Sequence, residues 1–300
     1  MRNPNRIRKT AEDHVINTAC VVFGVLLALA CIYPIYYTLI NSLNEGADAA
    51  RGGIYLWPRV FSLHNYAVVF KDDDLPMSFL VTVLRTLTGT VLALLFTTAV
   101  SYALSRKELI GRKFYLYTGM ITMYVSGGVI PTYMLYRSMG LINSFWVYIW
   151  PSLYSFGNAI LMLNFFKKLP DSLIESAKID GAQEFTILLK IILPLSKPLL
   201  ATIALFLCFG YWNDWFLSSL YISDSKLVSL QALLNNIMRS LEYMTNNPSA
   251  GVSLQQYRAQ MPSESVRMAI AIVIVIPIAC AYPFFQKYFI SGLTIGAVKG

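Results

Sequence analysis

The stretch from residue 15 to residue 43 contains no Asp, Glu, Lys or Arg. A helix crossing about 30 Å of hydrocarbon needs about 20 mostly apolar residues, so this run is long enough to span a bilayer. Five further stretches meet the same standard, at 77–104, 114–135, 145–166, 199–222 and 268–289. In lipid each backbone N–H and C=O must be satisfied inside its own segment, which makes helix the expected state of every one. The expectation is an all-α, polytopic membrane protein with six transmembrane helices. Hydrophobic residues make up 56% of the 300 positions and charged ones 13%, which excludes an ordinary soluble domain.

The basic residues set an orientation. The N-terminus carries Arg2, Arg6, Arg8 and Lys9, and the connection after the second span carries Arg106, Lys107, Arg112 and Lys113. Lys167, Lys168, Lys178, Lys190 and Lys197 follow the fourth span, and Lys287 and Lys299 lie at the end. These alternate segments hold fifteen of the 24 Lys and Arg, although the opposite ones are much longer. The positive-inside rule then puts both termini and the central loop in the cytoplasm. It also accounts for the net charge of +8 without nucleic acid. The run from His14 to Asn44 is about twice the core of a signal peptide, and Ala28-Leu29-Ala30 sits in its middle, so a retained first span is expected.

Templates for catalysis are missing. No Gly is followed by Lys, which removes the G-x-x-x-x-G-K-S/T phosphate loop, and Gly-x-Ser-x-Gly is absent as well. His14 and His64 have no companions at ligand spacing, and Cys20, Cys31, Cys208 and Cys280 lie in apolar stretches, so neither a metal site nor a disulfide framework is expected. The outer connections, 44–76 and 223–267, read as irregular and polar, with short interfacial helices around Ser62 to Phe70 and Leu227 to Glu242. Within the third span, Gly127-Gly128 and Pro131 favour a bend.

One polar interruption stands out between the fourth and fifth spans. Pro170 and the capping-box pair Ser172 and Glu175 open a helix that Asp180-Gly181 closes. A second amphipathic turn follows, with Phe185, Leu188, Leu189 and Ile192 at helical spacing until Pro194 and Pro198. Such a hairpin exposes apolar side chains on a polar loop. Here Glu175-Ser176-Ala177, Gly181 and Leu193-Pro194 resemble the E-A-A, G, L-P loop of ABC importer membrane subunits, with Ser176 in place of the usual first Ala. The resemblance implies a coupling helix docking on an ATP-hydrolysing subunit through Glu175, Ser176, Ala177, Asp180, Gly181, Ala182, Phe185, Leu193 and Pro194.

The fifth span carries Tyr211-Trp212-Asn213-Asp214-Trp215-Phe216. A carboxylate in hydrocarbon costs at least about 2.5 kcal/mol, so Asp214 needs protein or water around it. Arg85 on the second span lies at a matching depth, about eight positions or roughly 12 Å from its outer end, and a pair is feasible. Aromatic rings beside amide and carboxylate groups suit sugars, yet the same cluster also fits an interfacial belt with one helix-packing ion pair. The W-N-D-W pattern resembles that of sugar-importing members of the family. Pro262-Ser263-Glu264-Ser265-Val266-Arg267-Met268-Ala269 and the ending from Tyr282 to Gly300 are similar to the branch associated with complex-polysaccharide fragments.

The resemblance covers the whole chain and implies a single transmembrane permease domain, 1–300. Its core spans would occupy 77–290, with 1–76 as an extra span and outer loop and 170–198 as the coupling loop. It implies a non-enzymatic translocation subunit in the bacterial cytoplasmic membrane, with no cofactor of its own and ATP and Mg on the partner. The implied partners are a second permease, an ATPase dimer, an extracytoplasmic solute-binding protein, the oligosaccharide and membrane lipid. Arg85, Tyr211, Trp212, Asn213, Asp214 and Trp215 are the pathway candidates. A permease for a peptide or amino acid, and a self-sufficient secondary transporter with Arg85 and Asp214 as a relay, are the alternatives.

Overall fold

The computed structural model describes residues 11–49, 51–71, 74–246 and 264–297. Arg2, Arg6, Arg8, Lys9, Asp72, Asp73, Lys299 and the 247–263 stretch with Pro262 and Ser263 lie outside the described residues. Among those described, all regular elements are helical, and one isolated antiparallel bridge pairs Asn44 with Phe61. The helices are α1 (Ala11–Ser42), α2 (Gly46–Ala49), α3 (His64–Lys71), α4 (Asp74–Ser105), α5 (Arg112–Tyr124), α6 (Val129–Ser138) and α7 (Phe156–Phe166). They continue as α8 (Asp171–Ile179), α9 (Glu184–Ile187), α10 (Leu193–Leu195), α11 (Lys197–Asn213), α12 (Phe216–Tyr221), α13 (Leu230–Asn246) and α14 (Glu264–Ala297). The chain divides into two compact units, Met1–Lys71 with Val252–Val273 and Asp72–Gly251 with Ile274–Gly300.

Among the described residues three helices are individually long and apolar enough to cross a membrane, α1, α4 and α14, while α9–α10 and α11 pass the same test only as a pair, across an 85° bend. Short helices are present where expected near 62–70 and 227–242, as α3 and α13. The other expected spans are broken. The third divides at Val125 to Gly128, where Gly128 takes φ 82° and ψ 177°, a conformation open essentially only to glycine. The fourth begins with 3-10 turns at Phe145–Tyr148 and Trp150–Ser152 around Pro151, and becomes α-helical only from Phe156. The fifth is not continuous to residue 222, because α11 stops at Asn213 and α12 starts at Phe216.

In the larger unit α4 is the central post, packed against α11 and α7. Its buried stripe is Ser78, Thr82, Arg85, Gly89, Ala93, Thr97 and Ser101, spaced by three or four residues and mostly small. Small side chains let helices approach closely. At Gly89 an added Cβ would stand 2.5 Å from the Tyr211 ring, so only glycine fits beneath it. Two of its hydroxyls return their hydrogens to the turn before, Thr82 to the Ser78 carbonyl at 2.8 Å and Ser101 to that of Thr97 at 2.6 Å. An apolar cluster of Ala93, Tyr102, Met162, Phe166, Ile174, Ile187, Ile192, Ile203 and Leu207 then joins α4, α7 and α11 to the segment 171–195.

Candidate functional site

The segment 171–195 is an elbow. Helix α8 starts at Asp171 with Pro170 as N-cap and without a side-chain cap, so the expected capping box does not form. Ser172 lies inside the helix, where its carbonyl accepts the Ser176 hydroxyl at 2.8 Å. The extended backbone of Pro170 already supplies the entry, and Asp171 brings negative charge to the first turn.

The expected stop at Gly181 does form. Gly181 has φ 79°, the Ala182 N–H donates to the Ala177 carbonyl at 2.9 Å, and the Gly181 N–H donates to that of Lys178 at 3.0 Å. This pair of bonds is the Schellman closure. After α9 the chain widens into a π turn at Leu188–Ile192 and reaches α10, where Pro194 occupies the first turn. Pro198 opens α11 rather than ending the preceding turn.

Burial splits the elbow residues into two sets. Ala177, Ala182 and Leu193 pack on the apolar cluster together with buried Ile174, Ile187 and Ile192. Glu175, Ser176, Asp180, Gly181, Phe185 and Pro194 face outward. Ile179 and Phe185 are 87% and 68% exposed, which presents two apolar side chains beside an acidic tip. A polar cleft of 570 Å³ lies between the tip and the end of α4, lined by Arg106, Lys107, Arg112, Lys167, Asp171 and Glu175 among others.

Two residues the sequence did not single out fix the elbow to the bundle. Glu184 pairs with Lys178 at 2.7 Å and accepts a hydrogen bond from Tyr102, a buried residue in the last turn of α4. Partial burial pushes the Glu184 carboxyl up, but the hydrogen bonds from Lys178 and Tyr102 outweigh it and hold the group below its ordinary value. The hydrogen bond to Glu184 raises Lys178. A depressed carboxylate contributes stability above its unfolded pKa and loses it as pH falls through the folded one. The link should therefore persist at neutral pH and weaken only below the ordinary glutamate range. Glu184→Gln should remove the ion pair at all pH values and speed amide exchange at residues 178–187. Exchange no faster than wild type would mean that the link is not holding the elbow.

The second candidate site surrounds Arg85, which is 1% exposed. Its guanidinium reaches the Asp214 carboxylate at 3.1 Å and donates to the carbonyls of Tyr211 and Asp214. Those carbonyls belong to the last turn and cap of α11, where a helix leaves acceptors unpaired and a cation is favoured. The other oxygen of Asp214 accepts the N–H groups of Phe216 and Leu217 at 3.1 and 3.3 Å, which starts α12. This is why the fifth span breaks. Arg85 also lies 4.8 Å from the centre of the Tyr148 ring, whose hydroxyl is within 2.9 Å of Ser218 Oγ and 2.7 Å of the Leu227 carbonyl. Tyr148 was invisible in the sequence as one aromatic among many in an apolar run.

The pathway candidates divide accordingly. Tyr211 and Trp212 are buried, with the Trp212 indole donating to the Ile274 carbonyl at 3.2 Å. Asn213 is exposed and Trp215 half-buried, with the Arg239 guanidinium 5.1 Å above the Trp215 ring.

The family described as "Binding-protein-dependent transport system inner membrane component" matches residues 73–295. The polygalacturonan/rhamnogalacturonan transport system permease protein YtcP of Bacillus subtilis (strain 168) is 36% identical over 93% of this chain and 97% of that protein. Protein LplC of the same organism is 35% identical over the full length of both chains. Among solved structures, a chain from the crystal structure of a bacterial ABC transporter involved in the import of the acidic polysaccharide alginate superimposes with a TM-score of 0.82. That chain is 29% identical, and the match covers 93% of this chain and 98% of the other.

Proposed function

The chain belongs to the binding-protein-dependent transport system inner-membrane components, and from that premise we propose that it is the translocation subunit of an ATP-driven importer of oligosaccharides. The carrying observation is the elbow at 171–195, whose outward set, Glu175, Ser176, Asp180, Gly181 and Phe185, stands clear of the core while Ala177, Ala182 and Leu193 anchor it. An acidic tip flanked by exposed Ile179 and Phe185 suits a protein cleft better than water. The docking partner in this reading is an ATPase dimer, which supplies the ATP and Mg chemistry.

In the same reading six spans bring both termini and the elbow to the cytoplasm. Residues 77–290 form the core of one permease domain, 1–76 add a span and an outer loop, and 170–198 form the coupling loop. A second permease completes the pathway, and an extracytoplasmic binding protein delivers the solute. The relatives named for polygalacturonan or rhamnogalacturonan and for alginate support a glycan substrate. Asn213, Asp214 and Trp215 are its contact candidates, and Arg85, Tyr211 and Trp212 act behind them. Arg85 is committed to three oxygen acceptors around the α11 end, which argues against a proton or ion relay through it.

Reconstitution of the whole transporter tests this. Oligogalacturonides or alginate oligosaccharides carried by the binding protein should raise ATP hydrolysis and uptake, whereas peptides and amino acids should not. Trp215→Ala should lower the sugar-stimulated rate while basal hydrolysis persists. Solute movement by this chain alone in liposomes would overturn the proposal, and stimulation by peptides alone would replace its substrate.

A further inference from the structure

The smaller unit contains a tongue that the sequence suggested was an ordinary polar connection. Gly52-Gly53-Ile54-Tyr55-Leu56-Trp57-Pro58 carries no charge and lies between Arg51 and Arg59. Gly52 and Gly53 both take left-handed backbone, φ 69° and 76°, and turn the chain back along α1. Arg59 closes the base through the Gly52 carbonyl at 2.7 Å and the Asp48 carboxylate at 3.0 Å.

From there α1 receives the tongue's backbone. The Ile54 carbonyl accepts Asn41 at 3.4 Å, that of Tyr55 accepts the Tyr33 hydroxyl at 3.4 Å, and that of Leu56 accepts the Tyr36 hydroxyl at 2.5 Å. Tyr36 and Tyr33 precede the end of α1 by six and nine residues, about 9 and 13 Å at 1.5 Å per residue. Meanwhile Leu56 is 73% and Trp57 76% exposed.

We propose that this tongue is inserted into the leaflet at the C-terminal end of α1, with Leu56 and Trp57 in contact with lipid. Irregular backbone at the membrane boundary is favoured when its polar groups have partners, and the carbonyls of Gly52, Ile54, Tyr55 and Leu56 each accept from a side chain. In water those carbonyls would be hydrated without help. The exposed surface is continuous with Ile32, Tyr33 and Ile35 of α1, itself a membrane span, so the same solvent covers both. Trp and Tyr are the residues favoured at the headgroup level, and exposed Arg51 at the base can reach the phosphates.

Spin labels on single cysteines test the insertion in the assembled transporter in liposomes, with Cys20, Cys31, Cys208 and Cys280 replaced by serine. At Leu56→Cys and Trp57→Cys, oxygen should relax the label more than a water-soluble nickel chelate does, and at Arg51→Cys the order should reverse. Adding Tyr36→Phe to Trp57→Cys should shift the label toward the chelate. Labels at Leu56→Cys and Trp57→Cys that read as water-exposed, or that neither reagent reaches because a protein partner covers them, would overturn the proposal. None of these outcomes depends on which solute is carried.

Discussion

Gly181→Val is expected to leave the chain in the membrane while reducing the native elbow by a factor of about 5–30, the equivalent of the 1–2 kcal/mol that left-handed backbone costs an ordinary residue. Nothing lies within 4 Å of an added Cβ at this site, so the penalty is conformational and not a clash. Without φ 79° the bonds from Ala182 to Ala177 and from Gly181 to Lys178 open together. The direction from α8 into α9 is then lost, and with it the relation of Glu175 and Asp180 to Phe185. The transporter should recover less ATPase subunit on purification, and its uptake should fall further than its ATP hydrolysis. Gly181→Asn is the matched control, because asparagine enters the left-handed region far more readily and should keep most of both activities. Full assembly and uptake in Gly181→Val would show that the elbow's shape is not what couples the subunits.

What the sequence made legible follows from how local the cause is. Apolar length alone marks α1, α4 and α14, because hydrocarbon thickness acts on one segment at a time. Gly127-Gly128 marks the break in the third span, and Asp180-Gly181 the end of α8, since glycine's freedom is a property of the residue itself. The capping box failed where two local preferences met, Pro170 already providing the extended entry that Ser172 would have supplied. Phe185 and Leu189 lie one turn apart, as do Leu188 and Ile192, but successive residues stand about 100° apart around the helix and only the second ridge meets the core. The break at Asp214 depends on Arg85, 129 positions away, and no window of sequence contains both. Glu184 and Tyr102 are likewise 82 positions apart and meet only once the bundle is assembled.

That dependence makes Arg85 the position where one substitution should do most damage. Arg85→Ala removes the cation from a site that is 1% exposed and leaves the carbonyls of Tyr211 and Asp214, together with one carboxylate oxygen, without their donor. Breaking a buried pair from one side costs about 3–5 kcal/mol, and because the Asp214 side chain is 25% exposed and can recruit water, the lower end applies. Arg85→Lys should recover little, since one ammonium cannot match the planar fork that meets three acceptors around the helix end. Asp214→Asn should be milder than Arg85→Ala because Arg85 keeps its two carbonyls, yet it should still destabilise, since both carboxylate oxygens accept and asparagine turns one of them into a donor facing either the guanidinium or the N–H groups of Phe216 and Leu217. The order Ala worse than Lys, and Lys worse than Asn at 214, can be read from the temperature at which the detergent-solubilised complex loses monodispersity. Arg85→Met combined with Asp214→Asn should be less harmful than the sum of the two changes, because the second removes the charge that the first leaves unpaired. If the two effects simply add, or if Arg85→Ala matches the wild type, then α11 ends at Asn213 for a reason other than this guanidinium. The pathway reading of Asn213 and Trp215 would then lose the rigid support on which it rests.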